Sequence, residues 1–414
     1  MGSEGFEPPT FWSLLSSLIN SPFTEYWSQM LCQVELRPLV YKIYGYPFYP
    51  YLFLTTNLFG IMYDVVIVGA GPIGCKLGEL LSSDFKILII DRKGEVGKPV
   101  QCTGLTSSRI FELSQVSRDV VLNEIHRSIF YSPAGNKIIL EPKEPFYVLD
   151  RELFDKELAS KAEGSGAKIM MKTKFTNFSR KNGHMVVKAG NKNFETRLLV
   201  GADGPNSTVA ISANLFQPKR VLVGFQETVR GVFERNSCEL WFGSKIAPEF
   251  FAWVVPVNEE WARIGVASSK GAGYHLEKFI GKRVGNFSEK RERVGGLIRV
   301  GLIKSSVADN ILLVGDAASQ MKPFSGGGLI YGLIGVRFAA EACRKALVEE
   351  RYDEDFLRIN YEKKWKKRLG WPILKGLFLS SIIHNSNDWL LDAGFWFLGK
   401  FSPIIEKMLD PDFI

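Results

Sequence analysis

The chain has 414 residues, 46% of them hydrophobic and 23% charged, with 52 Lys+Arg against 44 Asp+Glu and a formal net charge of +8. That length and balance suit two or three domains with an ample core, and they exclude wholesale disorder and fibrous repeats. Five scattered cysteines (Cys32, Cys75, Cys102, Cys238 and Cys343) without a CxxC pair argue against a cysteine-ligated metal centre and read as reduced thiols of a cytoplasmic protein.

The first 61 residues differ from the rest, holding 14 of the 52 aromatic side chains but only six charges. Residues 43–63 carry no charge and are long enough for a membrane span, yet Gly45, Pro47 and Pro50 interrupt any helix there. The opening GFEPPTFW resembles a translated transfer-RNA T-arm, and Met62 leads straight into a strand. We therefore expect residues 1–61 to be an N-terminal extension ahead of the natural start. The body from Met62 is more basic than the whole chain, because four of the six charges left behind are acidic.

From Tyr63 the pattern is regular. YDVVIV (63–68) reads as a buried parallel strand. Gly69-Ala70-Gly71-Pro72-Ile73-Gly74 follows, then a helix, then a second strand, KILIID, ending at Asp91. Strand, glycine turn, helix, strand and acidic end make a dinucleotide-binding unit in its required order. Gly69 permits the turn, Gly71 lets the backbone approach a pyrophosphate, and Gly74 allows close packing of the helix. The helix N-terminus faces the phosphates, and Asp91 accepts from the ribose hydroxyls.

Two later segments narrow the nucleotide. LLVGADGPNSTV (198–209) is an apolar strand followed by Asp203-Gly204 and Ser207. ILLVGDAA (311–318) ends a strand at Gly315-Asp316, and MKPFSGGGL (321–329) opens a long helix. Over these motifs the chain resembles the para-hydroxybenzoate hydroxylase superfamily of flavoproteins. The resemblance implies FAD, with Asp316, Gly328 and Leu329 among its contacts. Those hydroxylases usually carry an arginine three positions after the serine of DGxxS, and here that position is Ala210. The change speaks against direct oxidation of NADPH, and no second GxGxxG stands in a strand–helix context. Electrons are expected from an external donor, a ferredoxin or transiently bound NAD(P)H.

Three further stretches, KPVQCTGL (98–105), YVLDRELFD (147–155) and FAWVVP (251–256) with GVA (265–267), resemble the geranylgeranyl reductase family. Its members reduce isolated double bonds of prenyl chains. The family's cavity pattern, YxWxFP followed by GxG, is matched at Trp253, Pro256 and Gly265. It is departed from at Phe251, Val255 and Ala267, changes that keep the site apolar. The resemblance implies a substrate cavity lined by Phe251, Trp253, Pro256 and Gly265. It also puts Cys102, Thr103 and Leu105 on the flavin side, with Arg151 at the pyrophosphate or ribityl chain. Phe175 and, more weakly, Lys76 are the implied backbone contacts towards adenine.

The implied reaction sets its own demands. An unactivated alkene needs a hydride and a proton on adjacent carbons, in a dry apolar cavity. Cys102 is the one candidate for chemistry. None of the four histidines (His126, His184, His275 and His384) lies in a motif, so each reads as surface or satisfied core.

The expected fold class is α/β. A three-layer, Rossmann-like FAD-binding domain (62–130, 148–215 and 306–345) is interleaved with an antiparallel-sheet substrate domain (131–147 and 216–305), and 346–414 form a helical tail. YEKKWKKRLGW (361–371) beside WLLDAGFWFLG (389–399) suits an anionic membrane surface, giving a cytoplasmic protein peripheral to the inner face of the membrane. Basic and acidic residues are intermixed, which excludes a nucleic-acid footprint. The expected partner is a prenylated glycerophospholipid, most simply one bearing digeranylgeranylglycerol. The alternatives are a monooxygenase- or halogenase-like flavoenzyme, since FAWVVP faintly resembles the halogenase WxWxIP, and an FAD-binding protein that has lost catalysis.

Overall fold

A computed structural model describes residues 62–181, 183–285 and 289–400. The expected extension 1–61 and the last 14 positions of the expected tail lie outside the described residues.

The chain begins with β1 (Met62–Val68), α1 (Pro72–Leu81), β2 (Ile87–Ile90), β3 (Leu105–Thr106) and α2 (Arg109–Ser114). Four strands follow: β4 (Val121–Ile125), β5 (Arg127–Tyr131), β6 (Lys137–Leu140) and β7 (Phe146–Leu149). Next come α3 (Arg151–Gly164), β8 (Lys168–Met170), β9 (Phe175–Lys181), β10 (His184–Ala189), β11 (Lys192–Gly201) and α4 (Thr208–Ser212). The roof is built from β12 (Arg220–Arg230), β13 (Ser237–Trp241), β14 (Ala252–Pro256), β15 (Trp261–Ser268), α5 (Ala272–Val284) and β16 (Lys290–Val300). The chain returns through β17 (Val307–Ala308), β18 (Ile311–Leu313) and α6 (Leu329–Glu349), then ends in α7 (Glu354–Leu357), α8 (Lys363–His384) and α9 (Asp388–Gly399).

One eight-stranded sheet runs β17-β18-β11-β1-β2-β8, with β10 and β9 added to β11 as a hairpin. Its centre is parallel, β1 lying between β2 and β11, and β18 lies on the far side of β11. Central strands buried on both faces need continuous apolar runs, which DVVIV, ILII and LLV supply. Helices α1, α3 and α6 pack together against this sheet. Asp150 starts α3 by accepting from the N–H groups of Glu152 and Leu153, an N-cap that fixes where Arg151 emerges.

The second sheet has seven strands in the order β16-β12-β15-β14-β13-β5-β6. It is antiparallel except where β13 pairs with β5 in parallel. A small third sheet, β3-β7-β4, holds the QCTG loop. Between β8 and β9 the chain changes direction. Lys172 turns into the left-handed region at φ 54°, and the Lys172 and Thr173 N–H groups donate to the carbonyls of Lys93 and Asp91. The chain crosses over the end of β2 there instead of extending.

Candidate cofactor and substrate site

The three motif glycines meet three different surroundings. Gly69 adopts φ 113°, and a Cβ on it would lie 2.3 Å from the carbonyl oxygen of Ala202. At Gly74 a Cβ would sit 1.9 Å from the Gly69 carbonyl oxygen, so the first turn of α1 closes only over a bare Cα. Around Gly71 nothing lies within 4 Å of that position. Gly71 is also the N-cap of α1, which no side chain caps. Orphan N–H groups over open space form an anion cradle of the kind a pyrophosphate fills.

Asp91 closes the other side of the turn. Its Oδ2 accepts from Ala70 N–H at 2.8 Å and its Oδ1 from Lys93 N–H at 2.8 Å. Each oxygen keeps lone-pair capacity for a ribose hydroxyl. Phe175 is buried at the start of β9, two residues beyond the Thr173 crossing over Asp91. The Lys76 side chain is engaged within the protein. Its ammonium is buried and donates to Glu79 at 2.9 Å, to the Ser114 carbonyl at 3.1 Å and to Gln115 Oε1 at 3.3 Å. That side chain ties α1 to the end of α2, so only its backbone is left to face a cofactor.

A second cluster joins Cys102, Arg151, Asp316 and Gly328. Arg151 forms a bidentate pair with Asp155, at 2.9 Å from Nη2 to Oδ1 and 3.1 Å from Nε to the same oxygen. Burial opposes the guanidinium charge, yet Asp155 first and then the nearby Cys102 sulfur keep it firmly protonated. Burial pushes the Asp316 carboxyl up to about 6, while the positive charge of Arg151 pulls the other way. A Cβ on Gly328 would lie 2.4 Å from Asp316 Oδ1, so this carboxylate rests against the bare start of α6. Gly328 caps α6 without any side-chain hydrogen bond, and Leu329 opens the helix. Sequence places these four residues on separate segments, and the fold brings them together. With the open cradle at Gly71, two uncapped helix N-termini and Asp316 between them fit a bipartite, anionic cofactor of the FAD type.

The QCTG loop meets the roof through Gln226 and Arg263. Gln226 Oε1 accepts from Thr103 Oγ1 at 2.7 Å and from Trp253 Nε1 at 3.0 Å. Gln226 pairs with Gly265 across β12 and β15, and Gly265 pairs with Trp253 across β15 and β14. A Cβ on Gly265 would be 2.1 Å from the Trp253 ring, so the indole lies flat over this glycine. Arg263, on the same strand, donates to the carbonyls of Thr103 at 2.5 Å and Leu149 at 3.0 Å. Its pKa is lowered by burial, the charge of Cys102 acting in the opposite direction. Within the loop, Gly104 N–H donates to Cys102 Sγ at 3.3 Å, and Leu105 enters β3 opposite Val148. Neither Gln226 nor Arg263 stands out in the sequence. The only signal is a polar or charged side chain inside a largely apolar strand, in VGFQETV and ARIGVAS.

Phe251 stacks on Phe250 at 4.3 Å between centroids and meets Trp253 edge-on at 6.1 Å. Pro256 ends β14 and its carbonyl accepts from Asn123 at 2.9 Å. His384, the last residue of α8, is buried among Phe242, Phe250, Phe251 and Phe324. Burial lowers its pKa to about 4, so the ring is neutral, and Nε2 contacts the Phe324 carbonyl at 3.3 Å. Among the described residues no group of His, Cys, Asp or Glu is arranged to hold a metal ion.

Fold and site together define an FAD-dependent oxidoreductase. Residues 62–229 match the family described as FAD binding domain. The digeranylgeranylglycerophospholipid reductase of Methanocaldococcus jannaschii is 31% identical over 352 residues, covering 80% of this chain and 89% of that protein. A solved geranylgeranyl bacteriochlorophyll reductase-like protein from Thermoplasma acidophilum superposes with a TM-score of 0.74 at 26% identity, covering 80% of this chain and 90% of that one. The halogenase PltM in complex with FAD superposes at 0.64 with 16% identity, covering 84% of each chain, and shows the fold alone. The chain belongs to the digeranylgeranylglycerophospholipid reductase family of FAD flavoproteins.

Proposed function

We propose that this flavoenzyme reduces isolated double bonds in the geranylgeranyl chains of digeranylgeranylglycerol phospholipids, in the making of archaeal-type membrane lipids. The observation that carries the reading is the Trp253–Gly265–Gln226 row. It lays the Trp253 indole over Gly265 and ties it through Gln226 to the Cys102-Thr103 loop. When bound and reduced, FAD supplies the hydride. The chain's own residues do the rest. Gly69, Gly71, Gly74, Asp91 and Phe175 hold the ADP half. Arg151, Asp316, Gly328 and Leu329 hold the ribityl and ring half.

Cys102 is the proton source in this reading. Its sulfur accepts from the Gly104 N–H at 3.3 Å, and the buried Arg151 guanidinium lies close enough to interact with it electrostatically. Phe251, Trp253 and the carbon stem of the row exclude water, which keeps a developing carbocation from being trapped. The atom balance is one hydride and one proton per double bond, so electrons must be resupplied after every turnover. A separate redox donor suits that need. Ala210 is fully buried in α4, with its N–H bonded to Ser207 Oγ, and there is no arginine there to hold a pyridine nucleotide. Peripheral contact with the inner membrane face completes the reading, because the substrate is a lipid.

The test is anaerobic incubation of the reduced holoenzyme with geranylgeranylated glycerolipid, followed by mass spectrometry. Product masses rising in steps of two hydrogens support the reading. Unchanged lipid beside flavin that stays reduced overturns it.

A further inference from the structure

The polarity of α9 is turned inside out. Its two carboxylates face the protein. Asp388 accepts from Ser244 N–H at 2.8 Å and Ser244 Oγ at 2.9 Å. Asp392 accepts from Ser132 Oγ at 2.5 Å and Ala134 N–H at 2.8 Å. With both acids anchored inward beside buried Leu391 and Phe395, the opposite side carries Trp389, Leu390 and Trp396. The preceding helix does the same at helical spacing. Trp371, Leu374, Phe378 and Ile382 line its outer side, whereas Trp365, Leu369, Ile373 and His384 are buried. Exposure is large: Trp371 73%, Phe378 66%, Trp389 68% and Trp396 59%. An apolar face of this extent on a monomer marks an interaction surface.

Charge says what covers it. Helix α8 contains no acidic residue, and Lys363, Lys367 and Lys375 are exposed along it. Lys400 lies 3.7 Å over the Trp396 ring at the end of α9. Tryptophans with flanking lysines on a polar-anchored helix are the pattern of a helix lying in a lipid headgroup layer. Among the described residues no helix is long and apolar enough to cross a membrane. The α8–α9 turn also borders a cavity of about 370 Å³, whose walls include Phe242, Phe250, Ile383, His384 and Leu391. Phe250 and His384 contact Phe251, which meets Trp253. A line of rings therefore leads from the foot of the exposed face to the candidate substrate cavity.

We infer that the outer faces of α8 and α9 seat the enzyme on an anionic lipid bilayer, with the cavity at their turn opening towards the lipid. The inference rests on the reading of the substrate as a membrane lipid and names the surface that meets it. The experiment is sedimentation of the FAD-loaded protein with phosphatidylglycerol–phosphatidylcholine vesicles that contain no prenyl lipid. Brominated acyl chains serve as tryptophan quenchers. Wild type should bind anionic vesicles more tightly than pure phosphatidylcholine and be quenched. Trp389→Ser/Trp396→Ser should lose about tenfold in binding and most of the quenching. Lys363→Gln/Lys367→Gln/Lys375→Gln should lose about tenfold on anionic vesicles only, together with the salt dependence. Retained flavin absorbance reports that the variants fold.

Equal binding by wild type and both variants, or no binding by wild type at low salt, overturns the inference. So does a stable dimer that the tryptophan variant converts to monomer, because a second copy then covers the face. These outcomes are independent of turnover. If wild type reduces no geranylgeranyl lipid, the proposed reaction fails while vesicle binding still decides the surface. If it does, the variants should lose rate on vesicle-embedded lipid and keep it on detergent-dispersed lipid.

Discussion

Trp253 and Gln226 stand on strands separated by β15, yet the indole Nε1 donates to the Gln226 amide oxygen at 3.0 Å. The reach is possible because Gly265 lies between them with no Cβ. Adding one methyl there drives Trp253 off its seat. Gly265→Ala should cost about 1–3 kcal/mol by overpacking and red-shift the tryptophan emission. Gln226→Leu should cost about the same by stranding a buried indole N–H and a buried hydroxyl. Urea unfolding of both variants checks this, and wild-type midpoints would contradict it.

The contrast between Gly71 and Gly74 separates binding from folding. Gly71→Ala meets open space, so the apoprotein should melt with wild type while FAD affinity falls by at least about tenfold, the new methyl standing where a phosphate belongs. Gly74→Ala meets a backbone oxygen and should lower the apoprotein's melting temperature by several degrees, for a cost of about 1–3 kcal/mol. Calorimetry of the apoproteins and flavin titration give both quantities.

Cys102→Ala should leave the flavin spectrum and FAD affinity near wild type and lower double-bond reduction by about 10²–10⁴-fold, the usual worth of a positioned acid. Cys102→Ser keeps the shape but gives up a proton far less readily, so it should fall with the alanine variant. Turnover measured with pre-reduced holoenzyme checks this. Turnover at the wild-type level would remove Cys102 from the mechanism.

Asp316 yields a pH test with a definite sign. Its carboxyl is raised from 3.8 to about 6 in the folded chain, so the folded state holds the proton more tightly than the unfolded one. The group's penalty on stability is therefore absent below about pH 4, grows between about pH 4 and 6, and is complete above that. Apoprotein carrying Asp316→Asn should match wild type in melting temperature at pH 4 and exceed it increasingly up to pH 6, then by a constant margin. FAD affinity should move the other way, falling in the variant at neutral pH.

The parallel core, the glycine turn and the Gly-Asp helix start are legible in the sequence because each repeats over several residues: a β-branched run, three spaced glycines, a helix opening. The Trp253–Gly265 pair is legible only as a motif, since no periodicity says that an indole lies on that glycine. Gln226 and Arg263 are not legible. One polar residue in a strand gives the same pattern whether it faces solvent or a loop 100 residues away. The partner of the Lys76 side chain is not legible either, because the Ser114 carbonyl that accepts from it is brought there by the fold. The break between β8 and β9 is hidden because Lys172 carries none of the usual turn chemistry.

The order of strands in the eight-stranded sheet bears on how the chain is made. β1 and β2 are synthesised first, but β11 joins them after some 100 further residues, and β18 completes the pairing only beyond position 310. The helix start at Gly328 comes later still. A nascent chain leaving the ribosome therefore exposes the glycine turn long before Asp316 and Gly328 exist to complete the pocket. Until then β11 offers a bare, strongly apolar edge to its surroundings. The flavin site is therefore complete only once the start of α6 has been made, close to the end of synthesis.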